Sequence, residues 1–213
     1  MIDPRSAYIK DIPTYADINF MSRLEARWAA LFDLMGWRWS YQPLDFNEWT
    51  PDFIIHGAKQ RVLVEVYPIF AANEDLLGRI SRAAIGSGKR NDILVVGAEP
   101  LWDVRGWCCP AFGWLGELCG PEHGHGWGEA IVHDGGGLGF CHSILQFRNR
   151  ITGHHDGDSV AGAEGYDGII RRAWARAGNA VQWRPDEDNE SIIAIVDRAV
   201  RKASRNKRHP ACL

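Results

Sequence analysis

Apolar residues fall into two kinds of pattern along the first hundred positions, and together they predict alternating helices and strands. From Asn19 onward, Leu24, Trp28, Leu31, Phe32 and Met35 recur at three- and four-residue spacing, which puts one apolar stripe on a helix. Asn19 or Ser22 suits its start, and Gly36 suits its exit. Residues 37–42 then alternate as a strand does, and residues 43–50 form a turn-rich connection. Two β runs follow, 52–56 and 61–67, and the Gly57 between them makes a hairpin. Residues 73–85 carry Leu76, Leu77 and Ile80 on one helical face. Residues 92–97 (Asp-Ile-Leu-Val-Val-Gly) hold a short continuous apolar run, the signature of a strand buried on both faces. The order helix–strand–hairpin–helix–strand gives an α/β sandwich around a central mixed sheet flanked by helices.

After Pro100 the texture changes. Residues 103–166 are rich in Gly, Trp, Cys and His with weak periodicity, and short strands are expected only at 130–133 and 138–142. Helices return at about 168–177 and 190–204. The expected organisation is a polar leader (1–18), a core (19–102), a Gly/Cys/His-rich insertion or subdomain (103–166), and C-terminal helices ending in a basic tail (167–213).

A chain of 213 residues buries a substantial core. Its net charge of −3 advertises no overall attraction for nucleic acid, so any such partner must be met by local positive charge. The basic excess sits near the C-terminus, where Arg198, Arg201, Lys202 and Arg205 have no acid among them, a candidate contact for DNA phosphates that reads equally as a solvated tail. Arg171, Arg172 and Arg176, with Trp174 nearby, form a second basic helix face. No apolar run approaches the roughly 18–20 residues that span a bilayer. No membrane is therefore expected as a partner. Five Cys, without a secretion signal, do not read as a disulfide framework, and the cytoplasm is the expected address.

Two acids stand out by context. Asp52 opens a strand in Thr50-Pro51-Asp52-Phe53, and Glu65 lies inside Val62-Leu63-Val64-Glu65-Val66. A carboxylate in a strand core is costly unless it is paired or binds a metal. On neighbouring hairpin strands the two converge on one Mg²⁺ (or Mn²⁺), a hard cation that takes oxygen ligands and keeps several waters. Glu25, on the preceding helix, completes the acidic cluster. A purely structural account has Glu65 paired with an Arg and Asp52 capping a turn.

Ser22-Arg23-Leu24-Glu25-Ala26-Arg27-Trp28, Tyr41-Gln42-Pro43, Thr50-Pro51-Asp52-Phe53 and Val64-Glu65-Val66 occur in that order. Over roughly residues 20–100 the chain resembles the PD-(D/E)xK superfamily of restriction-endonuclease-like nucleases, in the style of its small phage-encoded and transposon-endonuclease members. The resemblance implies Glu25 as the helix acid, Asp52 and Glu65 as metal ligands, and the Val66 carbonyl as a further metal contact. It also implies a phage or mobile-element nuclease working on DNA in the host cytoplasm, with a homodimer where both strands are cut. The family places Lys two residues after the strand acid, where this chain has Tyr67. Tyrosine donates a hydrogen bond but carries no positive charge near neutral pH. Arg79 or Arg82 on the second helix is the preferred replacement cation, with Lys59, Arg61, Lys89 and the polar Gln60 also near. The alternative to a nuclease is a degenerate fold that binds nucleic acid or a protein without cutting.

Cys108, Cys109, Cys119, His123, His125, Cys141 and His142 are soft ligands in one stretch, but without paired CxxC knuckles. They allow a structural Zn²⁺, or else buried thiols and surface histidines.

Overall fold

In the computed structural model, which describes residues 13–45, 49–57, 61–86, 91–104, 109–120, 124–133, 137–141, 147–149 and 167–181, the first helix, α1 (Arg23–Leu34), starts and stops on local chemistry. Ser22 caps it: its extended backbone (φ −142°, ψ 154°) lets the side chain accept from the Glu25 amide. At the exit, Gly36 takes φ +71°, the left-handed region that glycine reaches without strain. Gly36 N then donates to Asp33 O and Trp37 N to Phe32 O, each at 2.9 Å, while the Trp37 ring stacks on Phe32 with centroids 5.8 Å apart.

Two short strands precede the helix, β1 (Thr14–Tyr15) and β2 (Ile18–Asn19). They are joined by Ala16 and Asp17, both at positive φ, as a two-residue hairpin turn requires. The end of the polar leader thus forms a hairpin with the residue that follows it. It delivers Phe20, which is buried against Trp39, Tyr41 and Phe53.

The remaining elements are β3 (Trp39–Tyr41), β4 (Phe53–His56), β5 (Arg61–Val66), α2 (Glu74–Gly86), β6 (Asp92–Val96), β7 (Leu101–Val104), β8 (Cys109–Gly120), β9 (Gly124–His133), β10 (Gly137–Cys141), β11 (Phe147–Asn149) and α3 (Asp167–Ala180). The strands from β3 onward form one nine-stranded sheet in the order β11-β10-β9-β8-β6-β5-β4-β3, with β7 paired to β8. Only β5 and β6 run parallel to each other, across the α2 connection; every other pairing in the sheet is antiparallel. The fold is α/β with a mixed sheet flanked by helices. The helix–strand–hairpin–helix–strand order read from the first hundred residues is the order found.

Alternation along the strands divides the core. Val62 and Val64 of β5, with Leu94 and Val96 of β6, pack with α1 and α3. Ile93 and Val95 turn the other way, toward Leu76, Leu77, Ile80 and Ala84 of α2. Helix α3 is fastened to α1 by Arg27, whose guanidinium lies 3.8 Å from the Trp174 ring centroid and donates to the Trp174 carbonyl at 3.0 and 3.2 Å. Among the described residues no helix is long and apolar enough to cross a membrane.

The stretch after residue 102 does more than the two short strands expected of it. β8 pairs with β6, so the Gly- and Trp-rich segment continues the core sheet rather than standing beside it. Glycine is what allows this. A Cβ on Gly113 (φ +128°) would sit 2.1 Å from the Val95 carbonyl oxygen, and one on Gly116 would sit 2.9 Å from the ring of Trp127, its cross-strand partner.

His125 of β9 ties this extension to α2. Its Nδ1 lies 2.8 Å from Ser81 Oγ, its Nε2 3.2 Å from the Asn91 carbonyl, and its amide donates to Ser81 Oγ at 3.3 Å. A carbonyl only accepts, so Nε2 carries the proton and Nδ1 accepts from the serine hydroxyl. Burial lowers the imidazole pKa below 6.5. A folded-state pKa below the unfolded one means that this contribution is complete above about pH 6.5 and is lost as pH falls. The unfolding free energy of the wild type should therefore fall relative to that of His125→Asn as pH drops below about 6.5. A gap in urea denaturation that stays constant with pH would contradict this.

Candidate active site

Asp52 and Glu65 meet because of strand register. Phe53 pairs with Val64, so continuing the β4–β5 ladder by one step sets Asp52 opposite Glu65. Directly opposed residues share a face, here the one that α2 covers, since Glu65 pairs with Val95 of the α2-side cluster. Two bonds fix the carboxylates. The Val66 amide donates to Asp52 Oδ2 at 2.8 Å, and the Trp49 indole donates to Glu65 Oε2 at 2.7 Å.

Neither acid has a cation in contact among the described residues, so the structural account in which an Arg pairs with Glu65 does not hold there. The electrostatics follow. Burial raises Asp52 from 3.8 to about 6, with the charge of Glu25 adding and the Val66 bond opposing. Burial and then the charge of Asp52 raise Glu65 from 4.5 to about 7, against the Trp49 bond and the charge of Arg79. Near neutral pH the pair is poised between one charge and two.

Glu25 reaches the same neighbourhood but is held differently. Its Oε1 accepts from Ser22 Oγ at 2.6 Å, and its Oε2 accepts from the Tyr41 hydroxyl at 2.6 Å and the Met21 amide at 3.3 Å. It is 8% exposed. Glu25 therefore closes a cap at the start of α1 and joins the helix to β3 through Tyr41. It acts on the other two acids as a fixed negative charge. Burial and the bond to Glu25 push the Tyr41 phenol well above its usual range.

Tyr67 follows β5, with its amide donating to the Val96 carbonyl at 2.9 Å and its side chain 38% exposed. Arg79 is exposed on α2 and makes no ion pair among the described residues, yet its charge is felt at Glu65. Of the replacement cations weighed from sequence, Arg79 is the one among the described residues whose field reaches an acid of the pair, and Lys59, Gln60 and Lys89 lie outside the described residues. No protein-family model, no curated protein and no solved structure matches this chain.

The donor set suits a hard divalent cation. Mg²⁺ is commonly held by one or two carboxylates with several waters, and two half-buried acids short of positive charge are such a set. The Val66 peptide borders it, through its amide on Asp52. Among the described residues no third His, Cys, Asp or Glu joins closely enough to make a three-ligand cluster.

Trp49 was not singled out by sequence, although a Trp inside a polar turn just before Thr50-Pro51-Asp52 has both a ring to bury and an N–H to place. The other candidate groups among the described residues stand apart. Arg171 lies over the Trp102 ring at 4.2 Å and pairs with Asp167, and Trp174 is buried, so both serve packing. Both ring nitrogens of His125 are engaged. Cys108, His123, His142, Arg198, Arg201, Lys202 and Arg205 lie outside the described residues.

Proposed function

We propose that the chain is a metal-dependent nuclease hydrolysing phosphodiester bonds in DNA, with residues 20–100 as its restriction-endonuclease-like core. The observation that carries this reading is the Asp52–Glu65 pair, two half-buried carboxylates opposite each other across a hairpin with no cation in contact among the described residues. Such a pair is a standing cost to the fold that a bound divalent ion removes.

Asp52 and Glu65 would hold Mg²⁺ or Mn²⁺, and the ion supplies a lowered water pKa together with neutralisation of charge on the phosphate under attack. The chain's own groups set the geometry. Val66 N–H and the Trp49 indole each hold one oxygen of the two acids. Glu25 keeps the local potential negative, which favours a cation at this end of the sheet. Arg79 takes the part that the superfamily gives to the strand lysine, lending positive charge near the phosphate.

The test is cleavage of supercoiled plasmid, linear duplex and single-stranded DNA with Mg²⁺ or Mn²⁺ against chelator, for wild type, Asp52→Asn and Glu65→Gln. Tyr67→Lys, which restores the superfamily's residue at an exposed position, is expected to raise the rate by about tenfold or more. The position of Tyr67 also favours a second reading, a non-cleaving binder of nucleic acid. Absence of cutting by both wild type and Tyr67→Lys, with no calorimetric metal binding, would select it.

A further inference from the structure

The face that carries the acid pair has a second polar row at its other end. His56 N donates to the Arg38 carbonyl at 2.8 Å, which extends the β3–β4 pairing to Arg38 opposite His56, and His56 pairs with Arg61 across β4–β5. Arg38, His56 and Arg61 thus stand side by side across three strands. Two residues along each strand lie Ser40, Ile54 and Leu63, and two further along lie Asp52 and Glu65. All three rows share one face by the two-residue period of the strands. A hydrogen bond confirms it: Ser40 Oγ and His56 Nε2 are 2.8 Å apart.

Charge is segregated along this face. Arg38 and Arg61 are exposed and enter no ion pair among the described residues, while the buried Ile54 and Leu63 separate them from the acids. At about 3.3 Å per residue the cationic row lies about 13 Å from the acidic one. Two exposed arginines flanking one histidine attract a polyanion. The same polyanion is turned away by Asp52 and Glu65 unless something nearby holds it. Arg38 and Arg61 are placed to do so, flanking a His56 that Ser40 fixes in orientation.

We infer that Arg38, His56 and Arg61 form a docking strip for the phosphate backbone of the DNA that the acid pair cuts. The inference rests on the nuclease reading for its partner. The strip grips the DNA by phosphates about 13 Å, measured along the strands of the sheet, from the acid pair. It carries no base readout, because guanidinium groups on phosphates position a duplex without reading it.

The test is anisotropy of a labelled DNA of about 20 nucleotides, single-stranded and as duplex, with Ca²⁺ replacing Mg²⁺, between about 50 and 200 mM salt. Arg38→Ala/Arg61→Ala is expected to bind about tenfold or more weakly at the low-salt end. Its slope of log affinity against log salt should fall by roughly 1.4 to 1.8, the release expected for two phosphates. Arg38→Lys/Arg61→Lys should keep most of the slope, which a merely unfolded variant would not. Unchanged affinity and slope in the double alanine variant would overturn the strip, as would a weaker affinity at unchanged slope, or no salt-dependent binding by wild type. Cleavage in Mg²⁺ by the same proteins reports separately on the nuclease. Wild-type binding that fails in the double variant, with no cutting at all, keeps the strip and removes the enzyme.

Discussion

Replacing Asp52 by Asn, or Glu65 by Gln, is expected to make the metal-free protein more heat-resistant at about pH 8 while abolishing cleavage. Each amide keeps the bond it needs, since its oxygen still accepts from Val66 N–H or from the Trp49 indole. What disappears is a half-buried charge. Both acids have folded-state values, about 6 and about 7, above their ordinary 3.8 and 4.5. A raised carboxyl value means that folding favours the protonated form. Stability from this pair is therefore fully present below about pH 4 and is lost as pH rises through 6 and 7. Allowing for partial solvent screening, removing one charge at about pH 8 restores about 1–3 kcal/mol. For a chain of this size that is a rise of roughly 3–10 °C in melting temperature, read by circular dichroism in chelator. Saturating Mg²⁺ or Ca²⁺ should reverse the order, because only wild type gains binding energy, about 2.7 kcal/mol at a hundred times Kd. Cleavage should fall by at least about 10²–10³-fold. Variants that melt below wild type in chelator would mean that the acids are structural, and the proposal would lose its main support.

The second large effect concerns Trp28, the joint of the core. Its side chain is fully buried, its Nε1 donates to the Gly97 carbonyl at 2.9 Å, and its ring meets Phe32, Phe112 and Trp174 with centroids 5.9, 5.5 and 4.8 Å away. It therefore joins α1, the end of β6, β8 and α3 at one point. Trp28→Ala leaves a cavity costing about 3–5 kcal/mol and strips a carbonyl of its partner for about 1–3 more. A melting temperature lower by roughly 10–20 °C is expected, or failure to fold. Trp28→Phe keeps the apolar ring and loses the hydrogen bond, so it should cost about 1–3 kcal/mol, mostly the orphaned carbonyl. A loss under about 5 °C in the alanine variant would show that the four elements hold together without this joint.

What could be read ahead of the structure was whatever depends on neighbours in sequence. Helix α1 announced itself through its stripe, with Ser22 and Gly36 at its ends. Asp52 and Glu65 were legible because a carboxylate among valines has few uses. The tertiary partners of these acids were not legible. Trp49 meets Glu65 across 16 residues of sequence, and the Arg38–His56–Arg61 row exists only once β3 and β4 are in register. Strand β8 was hidden by its glycines, which weaken a strand by propensity yet are required at Gly113 and Gly116 by what lies against them.

Strand β3 is three residues long and is the last strand on its side of the sheet. Arg38 stands at one end of it, and Gln42, at φ +39°, bends the chain out of line at the other. An open sheet edge is a template on which a second chain can add a strand, and short, charged, bent edges resist such growth. This margin of the sheet offers too few free amides and carbonyls to recruit another copy, so the exposed side of the hairpin bearing the acids is guarded against aggregation by the brevity of its neighbour.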